Sequence, residues 1–236
     1  MSAILKFIRQ LTSILATTVD APNIALRLFL LSAQIADECG FEDLAYDFYV
    51  QAFSVYEDSI SESRAQLQAI TLIIGTLAGA KVFGLDNHDT LITKAALHGA
   101  KLLKKSHQAT AVGLASHLWW QEALPPSESE TDGREKPAVE KVKPSTKDDG
   151  ESNVKAVRDF VSISMVELRE VSGLILQYPH QDSKRVLECL QKSLRIANSA
   201  IEEIVTVQLY CDTLDHYLYY FDRGAPAVSS SLLFCS

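Results

Sequence analysis

Apolar residues recur at intervals of three and four positions through most of this chain, which is the spacing of a helix with one buried face. Residues 41–58 carry two such stripes instead of one. The first stripe contains Phe41, Leu44, Phe48 and Val55, and the second contains Tyr46, Tyr49, Phe53 and Tyr56. A helix that is apolar on two sides must be packed from both sides. Stacked helical hairpins impose that requirement, so the pattern predicts an all-α protein of the solenoid kind.

The breaks in the spacing predict a series of helices joined by short turns. Six helices are expected before residue 121, at about residues 3–18, 22–38, 42–57, 59–79, 89–104 and 106–120, and three more begin at about residues 154, 182 and 201. Pro22 and Gly40 mark the two ends of the second helix. Ser59 and Glu62 have capping-box spacing for the fourth, and Ser106 is a candidate cap for the sixth. Because no repeat of fixed length stands out, we predict an irregular HEAT-like solenoid of helical hairpins.

Composition changes abruptly after residue 121. No aromatic residue or cysteine occurs at positions 121–159, and four of the seven prolines fall there, with many acids, lysines and serines. Such a segment buries too little apolar area to offset its chain entropy. We therefore predict solenoid repeats at residues 1–121, a disordered acidic, proline-containing loop at 122–153, and continuing repeats at 154–224. Residues 225–236 show no helical cap or period and are expected to form an irregular tail.

Charge and residue spacing exclude several classes of function. The net charge of −8 argues against a general nucleic-acid binder, which needs a basic surface, and against direct attachment to an acidic membrane leaflet. The four cysteines form no C-x-x-C pair, and no histidine has a paired metal spacing. Nucleophile elbows, Walker loops and dinucleotide-binding glycine motifs are also missing from the sequence. We predict no enzymatic activity, no cofactor and no metal site.

Residues 1–19 allow two interpretations. Lys6, Arg9, several serines and threonines, and no acid are typical of a mitochondrial presequence. The alternative, which we favour, is an ordinary solenoid helix whose apolar stripe contains Ile4, Phe7, Ile8, Leu11 and Ile14 or Leu15.

Four longer runs carry a family resemblance: AFSVYED at residues 52–58, AQLQAITLIIGT at 65–76, KLLKK at 101–105 and RVLECL at 185–190. With residues 4–121 and 182–224 as a whole, they resemble the C-terminal half of the large retromer subunit, the vacuolar protein sorting-associated protein 35 family. That resemblance implies a helical solenoid in the cytoplasmic coat that recycles cargo from endosomes. It implies docking to the metallophosphoesterase-fold retromer subunit, contact with other endosomal coat proteins, and membrane association only through the complex.

The resemblance leaves the contact residues open. We predict that Phe83, His88, Trp119 and Trp120 contact the partner, because they lie at helix ends and turns from which a side chain can reach outward. The family's N-terminal half has no counterpart here, and residues 224–236 depart from the family pattern, which puts self-association through the family's C-terminal helices in doubt. The alternative function is a generic cytosolic helical-repeat adaptor in another multiprotein complex.

Overall fold

The computed structural model describes residues 1–18, 21–121 and 181–233, and these residues are helical with short connections. Together they confirm the all-α class predicted from the sequence. The helices are α1 (Ser2–Thr18), α2 (Pro22–Glu38), α3 (Glu42–Ser59), α4 (Ser63–Ala78), α5 (Leu85–Ala100), α6 (Lys105–Ala115), a 3-10 turn (Ser116–Trp119), α7 (Ser183–Asn198), α8 (Glu203–Asp222) and α9 (Pro226–Leu233). The predicted loop at 122–153 and the predicted helix from Val154 to Pro179 lie outside the described residues.

Neighbouring helices pack mainly on one another, as the solenoid prediction requires. The α2–α3 pair has the most extensive contact, α1 packs on α2, α4 lies against α2, α5 and α6, and α7 bridges α6, α8 and α9. These helices belong to one compact unit, residues 1–122 and 177–236. Helix α3 shows why its sequence is apolar on two sides, since Phe48, Tyr49 and Phe53 are all fully buried.

Several helix ends follow from local sequence signals. Gly40 has φ of 73° after α2, and Gly224 has φ of 69° after α8. Glycine adopts this left-handed conformation without steric penalty. At the start of α7, the Asp182 carboxylate accepts hydrogen bonds from the backbone N–H groups of Lys184 and Arg185, both at 3.1 Å. These ends confirm the stop predicted at Gly40 and the helix start predicted at about residue 182.

Other ends differ from the predictions because contacts distant in sequence determine them. Ser59 is the last residue of α3, and α4 begins only at Ser63 without a side-chain cap, so the capping box predicted there is wrong. Helix α5 begins at Leu85, four residues before its predicted start, because Gly84 is held in an extended conformation just before it. Ser106 lies inside α6 and does not cap it.

The tail prediction is also wrong, because residues 226–233 form α9. Pro226 does not terminate structure here. It occupies the first helical position, where its fixed φ is suited to the helix and its missing N–H is not needed. Ala225 and Val228 are fully buried, and α9 packs on α7 and α8. Burial against those two helices stabilises a segment that is too short to be helical by itself.

Candidate functional site

The four residues predicted to contact a partner are buried. The exposed fraction is 2% for Phe83, 6% for His88, 4% for Trp119 and 8% for Trp120. The expectation that these side chains reach outward is therefore wrong: neighbouring elements cover the helix ends on which they lie. Their contact with a partner remains a prediction that would require a rearrangement of this region.

All four lie in a junction, defined here as residues 80–88, 116–121 and 181–185. The side-chain amide of Gln121 lies 3.2 Å from the carbonyl oxygen of Ala80 and 3.2 Å from Nε2 of His88. The Asp182 N–H donates to the carbonyl oxygen of Trp119 at 2.9 Å, and Trp120 forms an antiparallel bridge with Gln181. The segments that directly precede and follow residues 122–180 therefore lie side by side.

An aromatic cluster fixes α8 to the junction. The Tyr220 ring is fully buried and lies edge-on to Trp120, with 6.2 Å between the ring centroids. Its hydroxyl is 2.9 Å from the Ser116 hydroxyl oxygen, and Ser116 also donates to the Gly113 carbonyl. The aromatic packing and the satisfied buried hydroxyls together make α8 part of the same core as the first six helices.

Two histidines in this cluster have altered proton affinity. Burial, with smaller contributions from His216 and Arg223, lowers the pKa of His117 to about 4. The His117 and His216 rings are 5.3 Å apart. Burial also lowers the pKa of His216, although Asp212 and Asp215 act in the opposite direction. Both imidazoles are therefore neutral at pH 7, and the cluster holds a polar but uncharged pair of rings.

Two carboxylates hold the loop between α4 and α5. The Asp37 Oδ1 atom accepts hydrogen bonds from the backbone N–H groups of Lys81 and Val82, both at 2.8 Å. Glu42 Oε1 accepts from the Gly84 N–H at 2.9 Å and from the Asn87 side chain at 2.8 Å. Burial raises the pKa of Asp37, and its two backbone hydrogen bonds only partly offset that effect. This anchoring places Phe83 against Tyr49, with 5.7 Å between their ring centroids.

We expect the substitution Asp37→Ala to lower the free energy of unfolding by about 2 kcal/mol, because it leaves two backbone donors without their charged acceptor. Urea unfolding at pH 7 measures this change. Asp37→Asn is the matched control: its amide oxygen can still accept both bonds, so the loss should be about half as large. A loss below about 0.5 kcal/mol for the alanine variant would show that Asp37 does not hold the loop.

Outside the junction, several polar side chains of the described residues form local ion pairs and hydrogen bonds. Glu57 binds Lys94 and Nε2 of His98, each at 2.8 Å, and Lys94 lowers the pKa of that carboxyl. An open cleft of about 280 Å³ lies between α6, α7 and α8. Its Ser193 hydroxyl is already bonded to the Ala109 carbonyl. Within the described residues, no group of three or more His, Cys, Asp or Glu side chains could hold a metal ion.

Two helices expose apolar stripes to solvent. The α1 stripe consists of Ile4, Phe7, Leu11 and Ile14, which are 57–63% exposed. The α8 stripe consists of Ile204, Val207, Cys211, Leu214, Leu218 and Phe221, all exposed. Helix α8 instead buries Leu209, Thr213 and Tyr220 on its other side. The α1 stripe was recognised from its spacing, but the side of that helix that neighbours cover was not.

A family model and individual relatives both match this chain, and they carry the same description. The family model described as vacuolar protein sorting-associated protein 35 matches residues 1–234. The protein of that name from Schizosaccharomyces pombe is 34% identical over 223 residues, which is 94% of this chain and 21% of the relative. Vacuolar protein sorting-associated protein 35A from Arabidopsis thaliana is 35% identical over 233 residues, covering 96% of this chain and 23% of the relative. This chain thus spans less than a quarter of the length of these curated relatives.

Proposed function

The chain belongs to the vacuolar protein sorting-associated protein 35 family, and on that premise we propose that it is a non-catalytic scaffold segment of the retromer coat. Its role would be to dock the metallophosphoesterase-fold subunit during endosome-to-Golgi recycling of cargo. The observation that carries the proposal is the family match across residues 1–234. The stacked helices of the structure support it, because they form the kind of surface on which a coat protein can be built.

The anchored loops of this segment would favour the binding of a partner. The loop of residues 79–84 is anchored by Asp37 and Glu42, and the segments on either side of residues 122–180 are held together at Trp120 and Gln181. A surface held in this way loses little conformational freedom when a partner docks, so more of the contact energy appears as affinity.

The proposed location is the cytoplasmic face of endosomes, reached through the assembled coat. None of the helices in the described part of the chain has the length and apolar character needed to cross a bilayer. The net charge of −8 would repel the chain from an anionic leaflet. Peripheral association through partner proteins is therefore the arrangement that we propose.

Titration calorimetry of the full chain with the purified metallophosphoesterase-fold retromer subunit tests this function. We expect saturable one-to-one binding with a micromolar or lower Kd. An unrelated metallophosphoesterase of similar size serves as the control and should produce no heat of binding. Absence of binding at about 100 μM, where a Kd of 1 μM would give near-saturation, would contradict the proposal and favour an adaptor role in another complex.

Hydrogen exchange on the same complex tests the predicted contact residues. If Phe83, His88, Trp119 and Trp120 meet the partner, amides at residues 80–88 and 116–121 should change their exchange rate on binding. If protection appears elsewhere while the affinity is as expected, the docking function stands and these four residues are structural only.

A further inference from the structure

We draw no further inference here: the strongest candidate, the exposed α8 stripe from Ile204 to Phe221, is an apolar helix face, and nothing in the described structure shows what covers it.

Discussion

Replacing Tyr220 with alanine is expected to lower the free energy of unfolding by about 3–5 kcal/mol, the usual range for removing a large buried aromatic ring. The ring is fully buried and contacts Trp120, His117 and Tyr219. Its removal leaves a cavity where α8 meets the junction. Because domains of this size are stable by only about 5–15 kcal/mol, the substitution should shift the urea midpoint far more than a surface change.

Two matched variants separate the contributions of the ring and the hydroxyl. Tyr220→Phe keeps the ring and should cost about 1 kcal/mol, since Ser116 retains its bond to the Gly113 carbonyl. Tyr210→Ala removes a tyrosine from the exposed side of the same helix, where the hydroxyl donates to Asn198 Oδ1, and should cost under about 1 kcal/mol. The role assigned to Tyr220 is wrong if its alanine variant unfolds at the same urea concentration as that of Tyr210.

The fluorescence of Trp119 and Trp120 is a direct measure of this unfolding. They are the two tryptophans of the chain, both are buried, and both lie in the junction where Tyr220 packs.

Local sequence signals predicted the helices wherever the chain itself determines their ends. Pro22 and Gly40 act through their own backbone preferences, and Asp182 caps the helix that directly follows it, so all three were recognised. The start of α5 was missed because it depends on Glu42, which bonds to Gly84 from a different helix. No pattern near residue 85 contains that information. Helix α9 was missed for a related reason, since it depends on burial of Val228 against other helices.

The exposed apolar stripes show a second limit of prediction from the sequence. Periodicity identifies which residues share a side of a helix, but not which side a neighbour covers. Helix α8 has apolar residues around much of its circumference, and spacing alone does not show that the side with Leu209 and Tyr220 is buried while the side with Leu214 and Leu218 is exposed. The acids at positions 203, 215 and 222 were the available signal, because charged residues flanking a stripe are typical of a face in contact with water or with a partner.

The outward reach expected of the four predicted contact residues is wrong for a different reason. Position at a helix end was taken as evidence of outward reach, yet the junction covers those ends. Trp119 and Trp120 are adjacent, and each meets a different neighbour: the Arg185 guanidinium lies over Trp119, whereas Tyr220 lies against Trp120. Large aromatic side chains at turns commonly close a core in this way, because they bury more area than any other residue.

Acidification should weaken the fold through His117. Its pKa is about 4 in the folded chain against an ordinary value of 6.5. Between these values the unfolded chain binds a proton that the folded chain does not, so the free energy of unfolding falls as the pH falls. Each pKa unit corresponds to about 1.4 kcal/mol. Allowing for partial exposure of the ring, we expect a loss of about 1–2 kcal/mol between pH 7 and pH 5.

Other titrating groups also change the stability with pH, so the effect of His117 must be measured against a variant that lacks this histidine. His216 has a lowered pKa and acts in the same direction, whereas burial raises the pKa of Asp37 and favours the folded state at acid pH. Arg223, Asp212 and Asp215 also lie around the histidine pair. The variant His117→Phe keeps an aromatic ring in the cluster and removes the titrating group, so the difference between variant and unmodified chain isolates His117.

Urea unfolding at pH 7, 6 and 5 measures that difference. At pH 7 the two proteins should differ by less than about 1 kcal/mol, because His117 is neutral there and a ring of similar shape replaces it. Between pH 7 and pH 5, the free energy of unfolding should fall by about 1–2 kcal/mol less in the variant than in the unmodified chain. An equal loss of stability in both proteins would show that His117 has the same pKa in the folded and the unfolded chain. Burial beside Tyr220 would then not disfavour the protonated ring.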